Sequence, residues 1–138
     1  MRALPALLVF AVGCGPAVDP AIQGEWLGST TVTFVGYSPF AYQSRLIVTT
    51  DDSRVNVVGA CPDGTGLLVA TGSGRSADWS GGARCSPVRI EDCPSVALVY
   101  TGGHLEMTDD RALYARGIGI ANGCGISADV SMTFNGRK

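Results

Sequence analysis

Between Ser127 and Asn135 every second residue is apolar: Ala128, Val130, Met132 and Phe134 alternate with Ser127, Asp129, Ser131, Thr133 and Asn135. Successive side chains of a strand point to opposite faces, so this order suits a strand with one buried and one wetted face. A helix would need a period near 3.6, and almost nowhere does the chain supply it. Period two recurs instead. Trp26, Gly28, Thr30, Val32 and Phe34 share one face; Val55, Val57 and Gly59 share another. Leu46 to Thr50, Leu67 to Thr71 and Val96 to Thr101 are β-prone runs, the last ended by Gly102-Gly103. Ala83 to Ile90 reads as a strand, as does Arg111 to Ile120 with Tyr114, Ile118 and Ile120 on one face.

Turn residues punctuate these runs at Asp51-Asp52-Ser53, Asp63-Gly64, Ser80-Gly81-Gly82, Asp109-Asp110 and Asn122-Gly123. Eight to ten short strands at intervals of about 8–12 residues predict an all-β antiparallel domain. An up-and-down barrel of about eight strands is the expected form, with a β-sandwich as the alternative. The 19 glycines suit turns, bulges and tight barrel corners. No internal repeat, low-complexity tract or linker follows Gln23.

The first residues have a different character. Arg2 precedes an apolar run from Ala3 to Val12, and Gly13-Cys14-Gly15-Pro16 follows. A positive start, a short apolar run and small residues make a secretory leader, and the run is too short to span a bilayer. Ala11-Val12-Gly13-Cys14 resembles the bacterial lipobox, although Leu is usual where Ala11 stands. The resemblance implies cleavage before Cys14, acylation of that residue and attachment to the cell envelope through lipid. Gly15 resembles the residue that follows the Cys in lipoproteins sent to an outer membrane. The expected division is thus a signal peptide over 1–13, a lipid-anchored tether over 14–23 and one β domain over 24–138. Its membrane contact would be that anchor.

Removing Arg2 with the leader leaves nine basic residues against the chain's twelve acidic ones. Only Arg137-Lys138 places two basic residues together, so nucleic acid is not an expected partner. With Cys14 assigned to the anchor, Cys61, Cys85, Cys93 and Cys124 remain. An even number in an exported chain predicts two disulfides. Three pairings are open; Cys61–Cys85 with Cys93–Cys124 is preferred because it staples neighbouring strand pairs without crossing. No CxxC pair exists and His104 is the one histidine, so neither a zinc site nor a redox pair is expected.

Gly24-Glu25-Trp26 opens the first predicted strand. Gly-x-Trp in that place resembles the start of lipocalin-like barrels, the calycin group. In that group a basic residue after the last strand packs across the Trp and closes the barrel bottom, a place corresponding to Arg137. The group's middle Thr-Asp-Tyr motif has no counterpart, since Thr108-Asp109-Asp110 reads as a hairpin turn.

Little else carries chemistry. His104 follows two glycines and reads as an exposed turn residue, with no nucleophile motif to accompany it. Asp51-Asp52 and Asp109-Asp110 lack the alternating ligands of a calcium loop and read as turn residues. Gly72 to Ser76 and Gly117 to Gly119 lack the following helix that a phosphate loop needs. The segment from Gly36 to Tyr42 places Tyr37, Phe40 and Tyr42 in the connection between the first two predicted strands. They either touch a ligand or partner or fold down onto the core.

The expected function is therefore a lipid-anchored barrel that binds a small apolar or amphipathic ligand, without enzymatic activity, cofactor or metal. The alternative is an envelope structural or interaction lipoprotein with a filled interior and no ligand. What fills the interior decides between them. The sequence leaves the oligomeric state open.

Overall fold

The computed structural model describes residues 16–138. The expected leader and the lipidation site at Cys14 lie outside the described residues. After a 3-10 turn at Pro20–Ile22 the chain forms nine strands: β1 Gly24–Phe34, β2 Phe40–Asp51, β3 Arg54–Val58, β4 Leu67–Ser73, β5 Ser76–Ser80, β6 Val88–Ile90, β7 Cys93–Met107, β8 Leu113–Gly123 and β9 Ile126–Arg137. All pairings between them are antiparallel. The sheet order is β5-β4-β3-β2-β1-β9-β8-β7-β6, and β5 also pairs with β7. Eight strands therefore close in an up-and-down, barrel-like ring, with β6 attached to the upper part of β7. Closure leaves those eight strands no exposed edge along most of their length.

The ring has two ends. The lower rim collects residues 16–23, the turns at Asp52-Ser53 and Gly74-Arg75, the 108–112 connection and the C-terminus. The upper rim collects the β1–β2 connection, residues 59–66, residues 81–92 and the tight turn at Cys124-Gly125. Both disulfides, Cys61–Cys85 and Cys93–Cys124, lie at the upper rim.

Inward residues follow the period-two pattern. Trp26, Val32 and Phe34 of β1 are buried, as are Leu46 and Val48 of β2, Val55 and Val57 of β3, and Val130, Met132 and Phe134 of β9. Five local readings change. The β7 strand does not end at Gly102-Gly103 but continues for 15 residues through an irregularity between Tyr100 and Gly102. That bulge switches the inward set from Val96, Leu98 and Tyr100 to Leu105 and Met107. On β8 the inward residues are Leu113, Ala115, Gly117, Gly119 and Ala121, whereas Ile118 and Ile120 point to solvent. The interior there is occupied by the Trp79 indole and by Tyr100, so small residues must face them. A Cβ on Gly103 would stand 2.1 Å from Trp79 Cζ2.

The β8–β9 turn lies two residues beyond Asn122-Gly123, because Gly123 still pairs with Ile126. Cys124 (φ 50°) and Gly125 (φ 74°) are its central residues. Two successive positive φ values define the mirror-image turn that matches hairpin twist. Residues 83–87 contribute one bridge, Arg84 with Val99, and only Val88–Ile90 forms a strand. Finally, the expected tether over 14–23 is not free along its length. Val18 is buried and bridges Gly74, and Ile22 is wholly buried.

Candidate functional site

The space inside the ring is the first place to seek a ligand. Its lining includes Thr30, Leu46, Leu68, Trp79, Leu105 and Phe134, and the void they leave is about 20 Å³. Ligand pockets measure roughly 300–1,000 Å³, whereas one water needs roughly 10–15 Å³ of such space. Polar groups inside are few. Thr30 and Ser44 share a buried hydroxyl contact of 2.6 Å, and the Tyr42 hydroxyl donates to Ala60 O at 3.2 Å. Trp79 Nε1 and the Tyr100 hydroxyl have no protein partner. Burial pushes the Tyr42 hydroxyl above the ordinary phenol range, and burial beside Tyr42 pushes Tyr100 further.

The aromatic segment belongs largely to the wall. Phe40 and Tyr42 lie within β2, with Tyr42 opposite Thr30 of β1 and its ring 5.3 Å from that of Phe40. Tyr37 meets Phe34 edge-on at 6.4 Å. All three are half-buried and pack against the core. Tyr37 also lines a small apolar cleft at the upper rim with Phe34, Ile90, Val96, Ile126 and Ala128, whose volume is about 30 Å³.

At the lower rim the Trp26 indole donates to Ile22 O at 2.8 Å. The cation over its ring is Lys138, with Nζ at 5.0 Å, and not Arg137. Strand parity explains the correction: Gly136 faces inward, so Arg137 faces outward, where it pairs with Asp110 at 2.6 Å. Lys138 Nζ also donates to Ala21 O at 2.6 Å and so ties the C-terminus to the N-terminal segment. Around this point lies an open cleft of about 600 Å³ lined by charged residues such as Asp19, Arg75, Asp110 and Lys138 and by apolar ones such as Trp26 and Met107. Arg75 pairs with Asp109 across it.

His104 is not in a turn. It sits within β7, opposite Asp78 of β5 and Arg116 of β8. Its Nδ1 lies 2.7 Å from Asp78 Oδ1 and its Nε2 3.7 Å from Glu106 Oε2. A general base needs one ring nitrogen free for the proton it removes. Here Asp78 of β5 holds Nδ1 across to β7, and Nε2 makes no hydrogen bond, with Glu106 of the same strand at ion-pair distance only. No cluster of three His, Cys, Asp or Glu suited to a metal occurs among the described residues.

The outer face carries an apolar row that periodicity alone does not reveal. Ile47, Val58 and Leu67 are direct cross-strand neighbours on β2, β3 and β4, and are 42%, 43% and 52% exposed. Val69, two residues along β4 from Leu67, is exposed as well, and on β1 the place opposite Ile47 is taken by Glu25. Glu25 and Arg45 pair at its margin at 2.7 Å, and the Arg45 guanidinium holds the Glu25 carboxyl below its usual range. A strand wall with both faces apolar reads in sequence only as a continuous run, as at Leu67-Leu68-Val69. The run shows that a second face is apolar but not whether anything covers it. The two disulfides are compatible with an exported protein. No family model, curated protein or solved structure matches this chain.

Proposed function

We propose that this chain is an exported, lipid-anchored protein of the bacterial cell envelope that acts through its outer surface, not by carrying a small ligand inside the ring. The filled interior carries this reading. A void of about 20 Å³ admits a water but no lipid-like molecule. The exposed Ile47–Val58–Leu67 row supplies the surface, since contiguous apolar patches rimmed by polar groups are typical of protein contacts. The lipobox resemblance at Ala11 to Cys14 and the two bridges support export. The eight-strand ring and the cation over Trp26 support the calycin resemblance, with Lys138 in the closing role. That resemblance brings an architecture and not an occupied cavity.

The test has two readouts on protein made in its own cell. Native mass spectrometry gives the chain plus acyl groups and no further small-molecule mass. A photo-reactive residue placed at Val58 gives a discrete crosslinked product, and one at Asp129 on the outer face of β9 gives none. A retained lipid-like mass, or identical crosslinking from both positions, would overturn the reading.

A further inference from the structure

We infer that the lower rim lies directly on the phospholipid headgroups of the membrane that holds the anchor, with the disulfide-stapled rim pointing away. This rests on acylation of Cys14. The argument is one of reach. Ala17 O accepts from Gly74 N at 3.1 Å, Val18 N donates to Asp52 O at 2.8 Å, and Asp19 N donates to Gly74 O at 2.7 Å. Val18 and Ile22 are buried against the ring. The chain is thus fixed to the β2–β3 and β4–β5 turns from Ala17 onward. Three residue steps separate Ala17 from Cys14, and an extended chain covers at most ~11 Å in that number. A lipid on Cys14 therefore holds these turns within about one headgroup layer of the bilayer, and the domain has no slack with which to turn over.

The rim's chemistry matches that neighbour. Arg54, Arg75, Arg111, Arg137 and Lys138 are exposed there together with Asp51, Asp52, Asp109 and Asp110, and Asp19 is half-buried. Among the described residues neither Arg54 nor Arg111 has a carboxylate within ion-pair distance. Those guanidinium groups suit lipid phosphates, and the nearby carboxylates suit the ammonium of phosphatidylethanolamine. A strand such as β1, with 11 residues at about 3.3 Å each, is about 36 Å long, and a barrel tilt of roughly 40° sets the upper rim about 28 Å above the surface.

The full acylated chain, reconstituted into vesicles of phosphatidylethanolamine and phosphatidylglycerol, tests this by amide hydrogen exchange. Exchange at 52–53 and 108–111 slows severalfold relative to detergent solution, and exchange at 62–66 and 81–87 is unchanged. Inserting about ten Gly and Ser residues between Pro16 and Ala17 gives a flexible spacer of roughly 17 Å, and abolishes the protection at the lower rim. Protection confined to the upper rim, or none at either rim on a chain whose Cys14 is acylated, overturns the orientation and leaves the anchor standing. A Cys14 without acyl groups in the mature protein overturns both.

Discussion

At the scale of single residues, the closure at Trp26 and the unpaired Tyr100 hydroxyl give the sharpest expectations. Lys138 makes two contacts that Arg137 does not: the Trp26 face and Ala21 O. Lys138→Ala is expected to lower stability by about 0.5–1 kcal/mol in urea unfolding, from the lost cation–π contact. Arg137→Ala leaves the midpoint near that of the unaltered protein, because Arg137 and Asp110 are 64% and 63% exposed and water screens them. Tyr100 raises a different question. Its hydroxyl is buried with the Tyr42 hydroxyl beside it but in no bond of good geometry, so Tyr100→Phe leaves stability unchanged or raises it by about 1 kcal/mol at neutral pH. The sign above pH 10 follows from the raised folded pKa. The folded state keeps a proton that the unfolded chain releases, so this contribution is complete below about pH 10 and is lost as pH climbs beyond it. Urea midpoints between pH 8 and 11 therefore fall less for Tyr100→Phe than for the unaltered chain, with Tyr42 supplying the remaining fall.

At the scale of strands and turns, large side chains on one strand are matched by glycine and alanine on the next. Trp79 of β5 lies against Gly103 of β7 and Gly117 of β8. Gly103→Ala puts a methyl carbon in the space of the indole and is expected to cost about 1–3 kcal/mol, read as a lower urea midpoint. The bridges also differ. Cys61 and Cys85 are buried, whereas Cys124 is exposed and Cys93 partly so. Mild reductant followed by thiol alkylation should modify Cys93 and Cys124 first, as peptide mass mapping would show.

Strand number and wall-lining residues such as Trp26, Val130 and Phe134 were legible because period two survives wherever one face is buried. Inward β8 was not legible, since Gly117 and Gly119 leave no apolar signal and the outward Ile118 and Ile120 leave a false one. The outward place of Arg137 is illegible for a related reason. One step along a strand exchanges the faces, and the bottom of the ring is set by Gly136 pointing in. The contact between His104 and Asp78 was illegible because the two residues are 26 apart in sequence and meet only when β5 pairs with β7.

On the scale of the whole molecule, the barrel-like ring is distinguished by what occupies its middle. An eight-stranded ring is wide enough either to be filled by side chains or to hold one small ligand, so its contents and not its topology decide its use. Among the side chains that line the central void, Trp79 has most volume to give up. It enters from β5, has no hydrogen-bond partner for Nε1, and rests where Gly103 and Gly117 leave room. Trp79→Ala should cost about 3–5 kcal/mol, the range for emptying an aromatic site in a rigid core. The closed ring and the two bridges restrain collapse, so an apolar cavity should persist. Such cavities take up small aromatic molecules. Added indole is therefore expected to raise the thermal midpoint of Trp79→Ala, in proportion to the logarithm of its concentration once saturating, and to leave the unaltered protein unmoved. Equal stabilisation of both proteins would mean that a usable space already exists inside the native ring. In that case carriage of a ligand, and not the outer apolar row, would become the better account of what the fold is for.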